Sequence, residues 1–318
     1  MDTEQQHAHY YTSEEISALS SCTLCPRECG ADRFSGGDGY CGTDAGLNIA
    51  SVCIHRGEEP PVSGPHGICN IFFAACNLQC IYCQNHDISR PGSGCRQAGM
   101  GYEEALNIIG NILSGGIKAV GFVSPSHVVP QVKAIIRGLR KRGFSPVTVY
   151  NTNGYDKPET LRSLGDYIDV WLPDFKYVNP EIALSFSDAY DYPEVAIKAL
   201  KEMYFQKGSS LHLDESGMAE RGILIRHLVL PGLAEESRRV LRTIASELSP
   251  GLSISLMSQY HPVPAVIGHE TLGKGITAEE YRSVVEEMER LGFRNGWIQD
   301  PDSSGNYLPD FSKGHPFE

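Results

Sequence analysis

From residue 70 onward, short apolar runs alternate with amphipathic stretches, and this alternation constrains the chain more than any other feature. The runs occupy 71–75, 119–123, 147–150, 168–172, 223–230 and 254–257. Segments of helical period lie near 102–114, 130–142, 158–164, 193–206, 235–248 and 277–291, several closed by a glycine such as Gly143 or Gly292. Strands separated by helices return parallel to one another, so the expected core is a parallel α/β barrel. The polar and Gly/Pro-rich residues fall just after the runs: Cys76 onward, Ser124 to His127, Asn151 to Tyr155, Asp174 to Tyr177, Pro231, and Gln259 to Pro262. A barrel of this kind builds its site at the carboxyl ends of the strands, so these segments should share one face.

The flanks read differently. Residues 1–21 are polar, with a short helix expected at 13–19 that Thr12 or Ser13 can cap and Glu14 and Glu15 suit. Residues 22–68 are rich in Gly, Pro and Cys and bury little apolar surface, so a metal is expected to order them. The chain divides into a lead-in and Cys-rich metal-binding segment (1–68), a core (69–300) and an extended C-terminal arm (301–318). With 318 residues, 41% hydrophobic and 21% charged, it fits one large α/β domain with an appendage. A net charge of −12 without a Lys/Arg run argues against nucleic acid. No apolar run is long enough to cross a bilayer, and the polar stretch from Met1 to His9 is unlike a signal peptide; a cytoplasmic protein is expected.

Ten cysteines in a reducing compartment point to metal or catalysis before disulfides. Three of them form Cys76-x3-Cys80-x2-Cys83, directly after the first run. Three thiolates this close can each bind one iron of a cubane cluster, leaving the fourth iron without a protein ligand. An open coordination position is what a metal needs to bind and activate a substrate.

The loop resembles the C-x3-C-x-aromatic-C signature of the radical S-adenosylmethionine (SAM) superfamily, with Tyr82 in the aromatic position. The resemblance implies a partial (β/α)6 TIM-type barrel and a [4Fe–4S] cluster whose open iron chelates SAM. One electron, from a donor such as flavodoxin or ferredoxin, then cleaves SAM to a 5′-deoxyadenosyl radical that abstracts hydrogen. Within the superfamily the chain is most similar to the activating enzymes of glycyl radical proteins, the group like pyruvate formate-lyase activating enzyme. Ser124-Pro125-Ser126-His127 stands where that group has Gly-Gly-Glu, which holds the SAM amino group, so Ser124, Ser126 and His127 are implied binders, with an imidazole in place of the acid. Asn151-Thr152-Asn153-Gly154 resembles Asp-Thr-Asn-Gly, and Asp174-Phe175-Lys176 resembles Asp-Leu-Lys; these imply SAM contacts for Asn151, Asn153, Asp174 and Lys176, with Asn151 neutral where the group has a charge. Arg226, in Arg226-His227-Leu228-Val229-Leu230-Pro231-Gly232, is implied to meet SAM or a substrate backbone, and His261 matches a histidine beside SAM.

Cys22-x2-Cys25-x3-Cys29-x11-Cys41 supplies four more thiols, enough for a closed structural zinc site or a second iron–sulfur cluster. Activating enzymes with extra clusters carry those cysteines after the radical SAM loop, whereas these precede it. His55-Arg56-Gly57-Glu58-Glu59-Pro60-Pro61 lies between the two groups without an evident role, and Cys53, Cys69 and Cys95 read as ordinary buried or loop cysteines. Three functions fit: an activase acting on a glycyl radical protein, a radical SAM enzyme modifying a peptide or small molecule, and a non-enzymatic iron–sulfur or zinc protein.

Overall fold

The structure is a computed structural model that describes residues 8–36, 39–91, 100–300 and 308–317. Its centre is one open sheet. The strands are β1 (Ile49–His55), β2 (Ile68–Phe73), β3 (Ala119–Val123), β4 (Val147–Thr152), β5 (Val170–Pro173), β6 (His212–Leu213), β7 (Ala219–Leu228), β8 (Ser253–Met257) and β9 (Asn295–Ile298). They are ordered β1-β2-β3-β4-β5-β7-β8-β9, with β6 paired to β7. Every neighbour from β2 to β9 along this order is parallel, and β1 joins β2 antiparallel. The sheet does not close, which makes it a partial barrel with β1 and β9 at its free edges.

The six apolar runs are β2, β3, β4, β5, β7 and β8. Every residue of β2, β3, β5 and β8 is buried, the pattern of strands covered on both faces. Helices Tyr102–Ser114, Val129–Lys141, Pro158–Arg162, Tyr192–Lys207, Ala234–Glu247 and Ala278–Arg290 fall where helical period predicts them. The leading helix, Ser13–Ser20, has a capping box in which Thr12 Oγ1 accepts from Glu15 N while the Glu15 carboxylate accepts from Thr12 N.

Three features escaped the periodic pattern. β1 and β9 extend the sheet at both edges, and helix Pro180–Ser187 follows β5. β1 comes from the Cys-rich stretch expected to be ordered by metal, because Ile49-Ala50-Ser51-Val52-Cys53-Ile54-His55 mixes small and polar residues without a clean alternation. Just after it, the one-turn helix Pro60–Ser63 inserts into the concave side of the sheet. Its Val62, 2% exposed, packs in one cluster with Ile68, Ala119, Val149, Val170, Leu172 and Leu224. The segment therefore plugs the inside of the barrel.

Where the sequence suggested an extended arm, residues 308–317 carry turns and return to the sheet. Phe311 and Phe317 pack on Phe72 with ring centroids 5.4 and 5.8 Å away, and Phe317 lies 4.1 Å from the His55 ring. Cys95 and residues 301–307 lie outside the described residues.

Candidate active site

β2 ends at Phe73, and the chain leaves the strand through Ala75, whose φ of 63° is left-handed. That turn swings Cys76, Cys80 and Cys83 over the carboxyl ends of the strands. All three line one cavity of about 920 Å³, at the upper end of the roughly 300–1,000 Å³ typical of ligand sites. Tyr82, Ser124, Asn151, Asn153, Asp174, Lys176 and Arg226 line the same cavity, so strand ends far apart in sequence meet in one place.

The donor set suits an iron–sulfur cubane. Cys76 Sγ accepts from Asn153 Nδ2 at 3.3 Å and from Leu78 N at 3.4 Å, and Cys80 Sγ accepts from Ser187 Oγ at 3.0 Å. Hydrogen bonds to sulfur are how a protein stabilises and tunes thiolate-bound iron. Burial, reinforced by the neighbouring Cys80, pushes the Cys76 thiol up to about 12, and burial raises Cys80 against the pull of Lys176. Without metal these thiols stay protonated, so binding metal must release their protons. Among the described residues no three His, Cys, Asp or Glu side chains converge on a single-ion position. A cubane makes no such demand, since each thiolate takes its own iron. Behind the loop, Tyr82 and Tyr177 share a short hydroxyl contact, Tyr177 and Ser187 hydroxyls lie 2.9 Å apart, and Ser187 reaches Cys80, so helix Pro180–Ser187 braces the loop.

At the β4 and β5 ends, Gly154 has a φ of 81° and lies so close to β5 that an added Cβ would sit 2.3 Å from Asp174 O. The close approach brings Asn151 and Asn153 beside Asp174 and Lys176. Lys176 Nζ lies 2.6 Å from Asp174 Oδ2, and Arg226 Nε donates to Asp174 Oδ1 at 2.9 Å. Burial works to raise the Asp174 carboxyl, but Arg226 and Lys176 overcome it and hold the group below the usual carboxylate range. Arg226 Nη2 also donates to Asn151 Oδ1 at 2.7 Å. The result is a partly dry wall of fixed charges able to receive a zwitterionic ligand.

Three of the predicted residues stand elsewhere. Ser126 is buried with its hydroxyl 2.9 Å from Thr152 Oγ1. His127 is fully buried and turned away from the cavity: its Nε2 lies 2.9 Å from Ala74 O, and its own carbonyl accepts from Arg33 at 2.6 Å. The ring cannot take the acid's place because it fastens the end of β2; burial and then Arg33 push it down to about 4, so it is neutral. Ser124, with a left-handed φ of 52°, is the part of that segment facing the cavity. His261 does not line the cavity; the nearby Gln259 does, with its side-chain oxygen 2.7 Å from Gln299 Nε2.

The residues that pattern missed come from the segment without a role. Glu58 and Glu59 both line the cavity from the β1–β2 connection. Glu58 bonds Asn70, Asn151 and Arg226, whereas Glu59 is buried with one carboxylate oxygen unbonded. Burial pushes Glu59 up to about 7, only partly offset by Arg226. Two adjacent acids in a Pro-rich loop look like solvated surface, and only the inward path of Pro60–Ser63 makes them otherwise.

The upstream cysteines pack against the same face. Cys22, Cys25 and Cys41 are buried and Cys29 is exposed. Arg33, 2% exposed, sits among them, donating to Cys41 Sγ at 3.4 Å and Thr43 Oγ1 at 3.0 Å. Arg27 reaches the three-cysteine loop, with Nε donating to Asn77 O at 3.0 Å and its guanidinium 3.8 Å above the Tyr40 ring.

Comparison with known proteins adds four findings. The chain is 25% identical over 278 residues to uncharacterized protein MJ0674 of Methanocaldococcus jannaschii, covering 86% of this chain and 75% of that one. In fold it is similar to SuiB of Streptococcus suis bound to the precursor peptide SuiA, at 13% identity and a TM-score of 0.48 over 72% of this chain, which spans about half of SuiB (48%). It is also similar to a domain of pyruvate-formate lyase-activating enzyme from Bacteroides vulgatus, at 14% identity and a TM-score of 0.39, covering 54% of this chain and 93% of that domain. The Radical SAM superfamily profile matches residues 70–243, more than half of the 318 residues and the stretch that carries the three-cysteine loop and the ends of β3, β4, β5 and β7. The chain belongs to the radical SAM superfamily.

Proposed function

We propose that this radical SAM enzyme is an activating enzyme, abstracting a hydrogen from the backbone of a glycyl radical protein. Membership of the superfamily entails a [4Fe–4S] cluster and SAM, which together supply a 5′-deoxyadenosyl radical on reduction. In this reading Cys76, Cys80 and Cys83 would hold the cluster, in a cavity that Tyr82 also lines. Lys176 supports the SAM carboxylate, since Asp174 occupies only one of its three ammonium donors. Asn151, Asn153, Ser124 and Arg226 complete the walls. In the same reading Cys22, Cys25, Cys29 and Cys41 hold a second centre that orders the upstream segment, zinc or an iron–sulfur cluster. The thiols draw together when a single ion binds, since among the described residues no three converge on one ion position without it, and a flavodoxin or ferredoxin delivers the electron.

The observation that carries the activase reading is the reach of the cavity. It runs from the three cysteines to Trp297, Ile298 and Gln299 beside one edge strand and to His55–Pro65 beside the other. In this reading a chain segment enters between the two edges. The volume of about 920 Å³ also favours a second reading, modification of a peptide or a small molecule. One experiment separates them. Anaerobically reconstituted enzyme is reduced with SAM and a glycyl radical protein from the same genome, deuterated at glycine. Deuterium in 5′-deoxyadenosine together with a glycyl radical signal is the expected result. 5′-Deoxyadenosine without deuterium would reject the activase and keep the second reading; none at all would reject both.

A further inference from the structure

Arg226 is buried among groups drawn from four separate segments, and their charges balance only through a residue outside the barrel strands. The strands supply two cations, Arg226 and Lys176, but a single carboxylate, Asp174, which both engage. Asn151, on the facing strand β4, gives Arg226 only a neutral oxygen. Glu58 completes the set. Its Oε2 lies 3.3 Å from Arg226 Nη1, and its Oε1 accepts from Asn151 Nδ2 at 3.2 Å and Asn70 Nδ2 at 2.9 Å. The Glu58 side chain is 8% exposed, against 16–17% for Arg226, Asp174 and Lys176. Gly121 makes room for this arrangement, since a Cβ there would fall 2.1 Å from Asn70 Oδ1.

We propose that Glu58 is the positioning residue for the amino-acid end of SAM, supplying from the β1–β2 connection the carboxylate that the chain lacks at position 151. Three of its bonds go to protein groups, so it acts through Arg226 and Asn151 and not by binding the ligand. Among the groups that Arg226 and Lys176 bond directly, Glu58 brings the count to two cations facing two carboxylates; the neighbouring Glu59 makes no bond to either cation, and burial pushes its carboxyl up to about 7. Without it Arg226 Nη1 and the Asn151 amide lose their shared acceptor, and the wall shifts by one positive charge against a ligand whose sulfonium, ammonium and carboxylate leave it net positive. Moving the carboxylate onto residue 151 should therefore substitute for Glu58, since Asn151 already touches both Glu58 and Arg226.

The test is SAM binding by equilibrium dialysis to the anaerobic, cluster-loaded protein, with 5′-methylthioadenosine as a probe that lacks both the amino-acid end and the sulfonium charge, and S-adenosylhomocysteine as one that keeps the amino-acid end without that charge and should weaken as SAM does. Glu58→Gln should weaken SAM about tenfold, the effect of one charged hydrogen bond in a partly dry site, and leave methylthioadenosine within about twofold. Asn151→Asp alone should also weaken SAM, because it sets two carboxylates against each other. The double variant Glu58→Gln/Asn151→Asp should recover SAM binding to within about threefold of the parent. Unchanged SAM binding in Glu58→Gln, equal loss of SAM and methylthioadenosine, or no recovery in the double variant overturns the proposal. If Glu58→Gln alone does not fold, the double variant decides: parent-like SAM binding supports the role, and failure to bind refutes it.

Discussion

Replacing Arg33 by methionine should destabilise the protein when the upstream cysteines hold metal, and do so much less when they do not. Arg33 is 2% exposed and makes no ion pair with a carboxylate among the described residues; its hydrogen bonds go to His127 O, Thr43 Oγ1 and Cys41 Sγ. The charges that favour its guanidinium are those of Cys41, Cys22 and Cys25, set against the cost of its burial. Metal-free, burial pushes the Cys25 thiol up to about 12, so it brings Arg33 no charge, and the guanidinium has less to offset its dehydration. Metal-bound thiolates turn it into a paired charge. Breaking such a pair costs about 3–5 kcal/mol. At about 2.1 cal/mol/K per residue the 318-residue chain unfolds with an entropy of roughly 0.7 kcal/mol/K, so the expected fall in Tm is about 4–7 °C. The assay is thermal unfolding of parent and Arg33→Met, each metal-loaded and chelator-stripped. Equal losses in the two states, or no loss in the loaded state, would refute the pairing of Arg33 with metal-bound sulfur.

Three further outcomes are expected. Cys80→Ala should abolish 5′-deoxyadenosine and the iron held at Cys76, Cys80 and Cys83 while leaving metal at Cys22, Cys25, Cys29 and Cys41; joint loss in metal analysis would show that the two groups of thiols form one site. Asn153→Ala removes the side-chain donor to Cys76 Sγ and should make the cluster harder to reduce, read as a more negative potential in an anaerobic EPR titration. Glu59 ionises near 7 in the fold against 4.5 as its ordinary value, so the native state binds the extra proton and stability falls as pH rises from about 4.5 through 7. Glu59→Gln should accordingly gain stability over the parent at pH 8 and little at pH 5, measured by denaturant unfolding.

The barrel was legible because β2, β3, β5 and β8 are buried on both faces and leave uninterrupted apolar runs, and because long helices announce themselves by period. The three cysteines were legible because their ligation needs fixed local spacing. His127 was misplaced for the opposite reason. Position after a strand predicts proximity to the site, but the direction of the ring was decided by Ala74 O, and that of its carbonyl by Arg33, which is 94 residues away in sequence. Glu58 was invisible for a related cause: its partners Asn70, Asn151 and Arg226 are separated by up to 168 residues, and no local pattern reports contacts of that range. The edge strands β1 and β9 lacked the alternation that would have marked them.

The inward course of the β1–β2 connection has a practical corollary for anyone seeking a minimal catalytic fragment. A shortened chain starting at residue 69 would retain every cysteine of the cluster loop, yet it would lose the strand that pairs with β2 and the valine that fills the barrel. The bare backbone of β2 would then invite intermolecular pairing, so such a fragment is expected to aggregate when expressed.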